Sequence, residues 1–144
     1  MRDICSKCYL NPNSHSFKKV YQTSTVDIFY TNPSEALLYK DTEGILLHYR
    51  NYLNSIRGKK WIWIFNSEDF GLSQALEIKT AIGISKIISN NSNSLNKIFI
   101  INPTGYIKNI LKIVSPFLSK DIKNKIEILN DKLYELKDVI EYCI

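Results

Sequence analysis

Two short runs constrain this chain more than anything else in it: Trp61–Phe65 reads WIWIF, and Lys97–Ile101 reads KIFII. A run that is apolar at successive positions offers no polar face to water. It therefore belongs to a strand covered on both sides, as in a parallel sheet layered with helices. Between and around these runs the pattern changes period. Leu37–Ile56 carries Ile45, Tyr49, Tyr52, Leu53 and Ile56 at helical spacing, with Gly44 as the expected start. Arg57-Gly58-Lys59-Lys60 should end that helix, the glycine serving as C-cap. Ser73 is placed to cap a helix through about Ser89, and Asn90–Ser94 (NNSNS) is a polar loop.

Val26–Tyr30 (VDIFY) reads as a strand broken by Asn32-Pro33-Ser34, Ser119–Lys123 as a short helical turn, Lys125–Leu129 (KIEIL) as a peripheral strand and Leu133–Tyr142 as an amphipathic helix. Strand and helix alternate, which predicts an α/β fold: a mostly parallel sheet of about four to five strands with helices packed on it. With 144 residues, one core is expected. Residues 1–20 read as an irregular N-terminal segment and 21–144 as a single domain.

Charge is uneven. The net charge is +5, yet six lysines fall between Lys97 and Lys125 against the single acid Asp121, while the tail from Ile126 is net acidic. A local positive patch attracts anionic headgroups, nucleic acid or acidic proteins. No run approaches the ~18 apolar residues of a membrane span, and MRDICSKCYL lacks a signal-peptide core. The expected location is the cytoplasm, where thiols stay reduced.

Motifs that could carry chemistry are few. Cys5 and Cys8 form a C-x2-C pair, but a zinc site needs two more ligands at matching spacing, and His15, His48 and Cys143 are scattered along the chain. No metal site is expected, and His48 reads as an ordinary helix residue. Asp69-Phe70-Gly71 spells a kinase motif without the glycine-rich and catalytic loops that give it meaning, and no partner base stands near Glu68 and Asp69. Gly58-Lys59-Lys60 lacks the rest of a phosphate-binding loop. Neither a catalytic residue nor a cofactor is expected.

The segment after Pro103 is different. On a helical repeat Tyr106, Ile110, Ile113 and Phe117 make one apolar stripe and Ile107, Leu111, Val114 and Leu118 a second, leaving Lys108, Lys112 and Ser115 a narrow polar face. One reading is a buried crossover helix with its lysines at the surface. The other is a cover: one stripe on the sheet, one over an apolar cavity, and lysines toward an anionic membrane. Ligands of open α/β sheets bind beyond the carboxyl ends of the strands, where this helix begins.

INPTGYIKNILKIVSPFLSKDIKNKIEIL resembles the most recognisable block of the CRAL-TRIO lipid-binding domain. The block is a strand ending in an Asn-Pro or His-Pro-Thr turn, a long apolar helix, a Pro-Phe-Leu/Ile-Ser break and a Lys-Ile strand. Asn102, Pro103, Pro116, Phe117, Leu118, Ser119, Lys125 and Ile126 carry the likeness. WIWIFNSEDFGLS upstream and LNDKLYELKDVI downstream resemble the family's strand-turn and closing helix. The resemblance implies a sheet that floors a hydrophobic pocket. The helix after Pro103 would be its gate, formed by Tyr106, Ile107, Ile110, Leu111, Ile113, Val114, Phe117 and Leu118.

It further implies non-enzymatic binding or transfer of a phospholipid or other hydrophobic ligand. Lys108, Lys112, Lys120, Lys123 and Lys125 would serve as a basic patch for transient docking on anionic membrane. Lacking the long form's N-terminal helical domain and closing segment, the chain resembles the compact branch found beside RhoGAP and macro domains. That likeness implies a second role, a scaffold that binds a small GTPase or self-associates. Nucleic acid is not an expected partner, because the lysines lie on an otherwise apolar helix without an aromatic platform.

Overall fold

The computed structural model describes residues 5–56 and 58–143. Its strands are β1 (Lys18–Gln22), β2 (Val26–Thr31), β3 (Lys60–Asn66), β4 (Leu95–Ile101) and β5 (Ile126–Leu129). They form one five-stranded sheet in the order β1-β2-β3-β4-β5. β1 and β2 are antiparallel, joined by a turn in which Thr23 Oγ1 accepts from the Val26 amide at 3.0 Å. Every later pair is parallel.

Because each parallel step moves the same way across the sheet, right-handed crossovers bring the connecting helices to one face. These are α2 (Thr42–Asn54), α3 (Leu72–Ala75), α4 (Ile78–Asn90), α5 (Gly105–Val114) and α6 (Lys120–Lys125). The last helix, α7 (Leu136–Cys143), covers the opposite face. The apolar runs follow from this layering. Trp61 and Trp63 of β3 point into the helical layer with Phe29, Ile98 and Ile100, while Ile62 and Ile64 join Ile28, Phe99 and Ile101 beneath Val139. A polar residue at any of these positions would lose water on either face.

The structure corrects the sequence reading of the fold in several places, the first being that α2 ends at Asn54 with Ser55, not Gly58, as its C-cap. From Cys5 onward the N-terminal segment is not irregular: it holds α1 (Ser6–Leu10) and the start of β1, and Phe17 is buried, stacked between Phe29 at 4.8 Å and Tyr49 at 4.2 Å between ring centroids, while residues 1–4 lie outside the described residues. The helix expected over 73–89 is two helices, α3 and α4, and Ser73 lies inside the first rather than capping it. α2 begins at Thr42, not Gly44, because Asp41 caps it by accepting from the Gly44 amide at 3.3 Å. No helix among the described residues is long and apolar enough to cross a membrane.

Candidate functional site

The helical layer does not pack uniformly on the sheet. α5 is held by a satellite cluster, in which Ile107, Ile110 and Val114 meet Phe70, Ala75, Ala81 and Ile82. The principal core lies under α2, α4 and α6, around Trp61, Phe29 and Ile122. Between the two clusters lies a cavity of about 170 Å3. Trp63, Phe65, Ile98 and Ile100 floor it from the sheet, and Tyr49 of α2 and Ile84 and Ile88 of α4 form a wall. α5 and the segment after it roof it with Ile107, Ile110, Leu111, Val114 and Leu118. The gap has a local cause: α4 presents Thr80, Ala81 and Ser85 to this space, side chains too short to fill it.

The cavity surface is mainly apolar, although His15, Thr31, Gln74, Glu77, Thr80 and Ser85 also line it. Trp63 Nε1 donates to Thr31 Oγ1 at 2.9 Å, and Thr31 Oγ1 lies 3.5 Å from the Tyr49 hydroxyl. Burial pushes the Tyr49 phenol well above its ordinary pKa, with the Thr31 contact opposing only weakly, so the cavity holds no charge there at neutral pH.

α5 divides the stripes read from the sequence. Ile107, Ile110 and Val114 are 3%, 7% and 4% exposed, whereas Tyr106, Ile113 and Phe117 are 44%, 42% and 37% exposed. Ile110 thus leaves its expected companions and joins Ile107, Leu111, Val114 and Leu118 on the inner face. An apolar outer stripe remains in solvent. Lys108, Lys112, Lys120 and Lys123 are exposed, the first two on α5 itself. Lys125 is half-buried, pairs with Asp121 at 3.0 Å and donates to the Ser92 carbonyl at 2.9 Å, so it braces α6.

Few hydrogen bonds among the described residues fasten the ends of α5. Thr104 caps the helix and donates to the Phe70 carbonyl at 2.8 Å. At the far end Ser89 donates to the Phe117 carbonyl at 3.1 Å and accepts from the Ser119 amide at 3.3 Å, and Lys86 Nζ sits 5.3 Å from the Phe117 ring centroid. The turn before α5 is fixed more firmly. Asn102 adopts φ 53°, and its side chain donates to Asn66 Oδ1 and the Tyr134 carbonyl while accepting from the Tyr134 amide at 2.8 Å. The Asn-Pro turn therefore ties β4 to the approach of α7, and α5 leaves from a rigid base.

A second constellation lies at the N-terminal end of the helical layer. Cys5, Cys8, His15 and His48, which the sequence reading left scattered, converge so that their ligand atoms all lie within 4.8 Å of one another. The chain reversal after α1 returns His15 over Cys5 and Cys8, and α2 supplies His48 from beneath. His48 is thus not an ordinary helix residue. The signal in the sequence was the C-x2-C pair; its completion by two distant histidines depends on tertiary folding. Cys143 stands apart from this group, its thiol pKa raised by burial.

None of the curated proteins matches this chain. Residues 9–143 match the CRAL/TRIO domain, a span that holds the whole sheet, the cavity and α5. The chain belongs to the CRAL/TRIO domain family, whose domains bind and transfer hydrophobic molecules.

Proposed function

We propose that this domain takes up the acyl portion of a phospholipid, or another elongated hydrophobic ligand, in the cavity beneath α5, and loads it at an anionic membrane. The observation that carries the reading is the division of α5: its inner stripe roofs an apolar cavity while its outer stripe and two lysines face solvent. A cavity of about 170 Å3 is below the ~300–1,000 Å3 of ligand pockets, so an elongated ligand needs this space to widen. Loading requires α5 to swing away, with Thr104 and Ser89 releasing their carbonyl partners.

Magnitudes set the ligand class. Exposing the inner side chains Ile107, Ile110 and Val114 costs roughly 5–9 kcal/mol in lost burial. An acyl chain returns about 0.8 kcal/mol per buried CH2, so about ten methylenes are needed to offset the opening. Membrane contact lowers the cost further, because Tyr106, Ile113 and Phe117 enter the interface and each nearby lysine contributes ~1 kcal/mol at an anionic surface. The alternative, a scaffold for a small GTPase or for self-association, calls for a filled interior, and the cavity weighs against it.

The test is uptake of fluorescent fatty acids of graded chain length, by the wild-type protein and by Ala81→Leu, which places bulk in the cavity. Binding should rise steeply beyond about ten carbons and be lost in the variant while its circular dichroism is unchanged. Binding that ignores chain length, or survives the filled cavity, would contradict the reading.

A further inference from the structure

We infer that Cys5, Cys8, His15 and His48 form a structural zinc site that clamps the N-terminal segment to α2. Four interatomic separations support it. His15 Nδ1 lies 3.4 Å from Cys5 Sγ and 3.6 Å from Cys8 Sγ, His48 Nδ1 lies 3.6 Å from Cys8 Sγ, and the two Nδ1 atoms are 3.3 Å apart. A tetrahedron built on Zn–S of ~2.3 Å and Zn–N of ~2.05 Å has S–N edges of roughly 3.6 Å and an N–N edge of roughly 3.3 Å. The cluster has the size of a zinc coordination shell.

The outer hydrogen bonds set both imidazoles for metal. His48 Nε2 donates to the Phe17 carbonyl at 2.5 Å, and His15 Nε2 donates to Asp41 Oδ2 at 3.2 Å. With the Nε2 protons so engaged, each Nδ1 lone pair points into the cluster. A carbonyl or carboxylate behind a ligating histidine is the usual second layer of a zinc site. Asp41 is itself held by Lys7 at 2.6 Å, and it caps α2, so the carboxylate links the site to the helix that carries His48.

The donor set names the ion and the role. Two thiolates and two imidazoles select a borderline-soft, tetrahedral cation over magnesium or calcium. Two thiolate charges cancel the +2 of zinc, so the filled site is neutral among the buried His15, His48 and Cys8. Four protein ligands leave no open position for water, so the site is structural rather than catalytic. Binding replaces the proton of each thiol with a bond to metal, and the protons go to solvent.

The experiment uses the full chain purified without chelator. Elemental analysis should find one zinc per chain. Replacement by cobalt should give the intense visible absorption of tetrahedral thiolate coordination at one equivalent. Stripping with a chelator should lower Tm by ~5 °C or more, restored by adding zinc back. Cys5→Ser, at the more exposed ligand, should keep the far-ultraviolet circular dichroism spectrum and weaken zinc binding at least tenfold. Where a buried-ligand variant such as His48→Gln fails to fold, the cobalt spectrum of the wild-type chain decides. Absence of zinc together with no tetrahedral cobalt spectrum would overturn the inference, as would zinc binding unaltered in Cys5→Ser.

Discussion

Tyr49 shows how one buried polar group shapes the cavity. Its phenol is fully enclosed, its pKa is raised by desolvation, and its nearest hydroxyl is that of Thr31 at 3.5 Å. A pKa higher in the folded than in the unfolded chain means that the folded state holds the proton more tightly. The stabilising effect is complete below the unfolded value of ~10 and declines as pH rises toward the folded value, by about 1.4 kcal/mol per pH unit. Urea midpoints of the wild-type protein should therefore fall more steeply above pH 10 than those of Tyr49→Phe, and equal slopes would contradict the assignment. Near neutral pH the same variant should lose only about 1 kcal/mol.

Gly44 is the second telling residue. A Cβ there would lie 2.0 Å from Asp41 Oδ2, so only glycine lets the Asp41 carboxylate lie against the first turn of α2. Gly44→Ala should displace that carboxylate from its cap and from His15. Chemical denaturation should register a loss of about 1 kcal/mol, despite alanine's better helix propensity. Residue roles of this kind were poorly legible in the sequence. Nothing local to Gly44 announces Asp41 as its neighbour, and nothing local to His48 announces Cys8, because both pairings arise when the N-terminal segment folds over α2.

At the scale of elements, legibility followed hydrophobic pattern. β3 and β4 stood out because burial on both faces demands continuous apolar runs, and α5 stood out because two stripes are apolar. β1 was missed because an edge strand that opens on two lysines, KKVYQ, carries no such run. The break between α3 and α4 was missed because Ala75, Ile78 and Ile82 keep i, i+3, i+7 spacing across the interruption. The stripe on α5 that roofs the cavity was identified only in part: Ile110 turns inward with the second stripe.

That division of α5 makes two opposed expectations. The triple change Tyr106→Ser, Ile113→Ser and Phe117→Ser should alter stability by less than about 1.5 kcal/mol, since surface substitutions each stay within ~0.5 kcal/mol. It should nevertheless reduce cosedimentation with anionic vesicles by tenfold or more. Ile107→Ala should do the reverse, costing about 2–4 kcal/mol of stability with vesicle binding retained. Vesicle binding that tracks the inner rather than the outer stripe would refute the orientation proposed for α5. Lys108→Glu with Lys112→Glu should weaken vesicle binding by about tenfold or more, and the remaining binding should depend less on salt.

At the scale of the whole molecule the architecture is a sheet covered by one helix on one side and by a divided helical layer on the other. The division matters, because one part of that layer is a continuous core and the other, under α5, is a small cluster beside a cavity. A layer built this way can open locally without unfolding the sheet. The fold class was legible from strand–helix alternation. The cavity was not, since it depends on where short side chains such as Ala81 and Ser85 face Trp63 and Phe65, a pairing that only the packed structure defines. The central claim is that this space opens to hold a hydrophobic chain. Native mass spectrometry of the purified protein after incubation with anionic phospholipid vesicles tests it directly: one lipid mass per polypeptide is expected, absent in Ala81→Leu, and bare polypeptide in both samples would refute it.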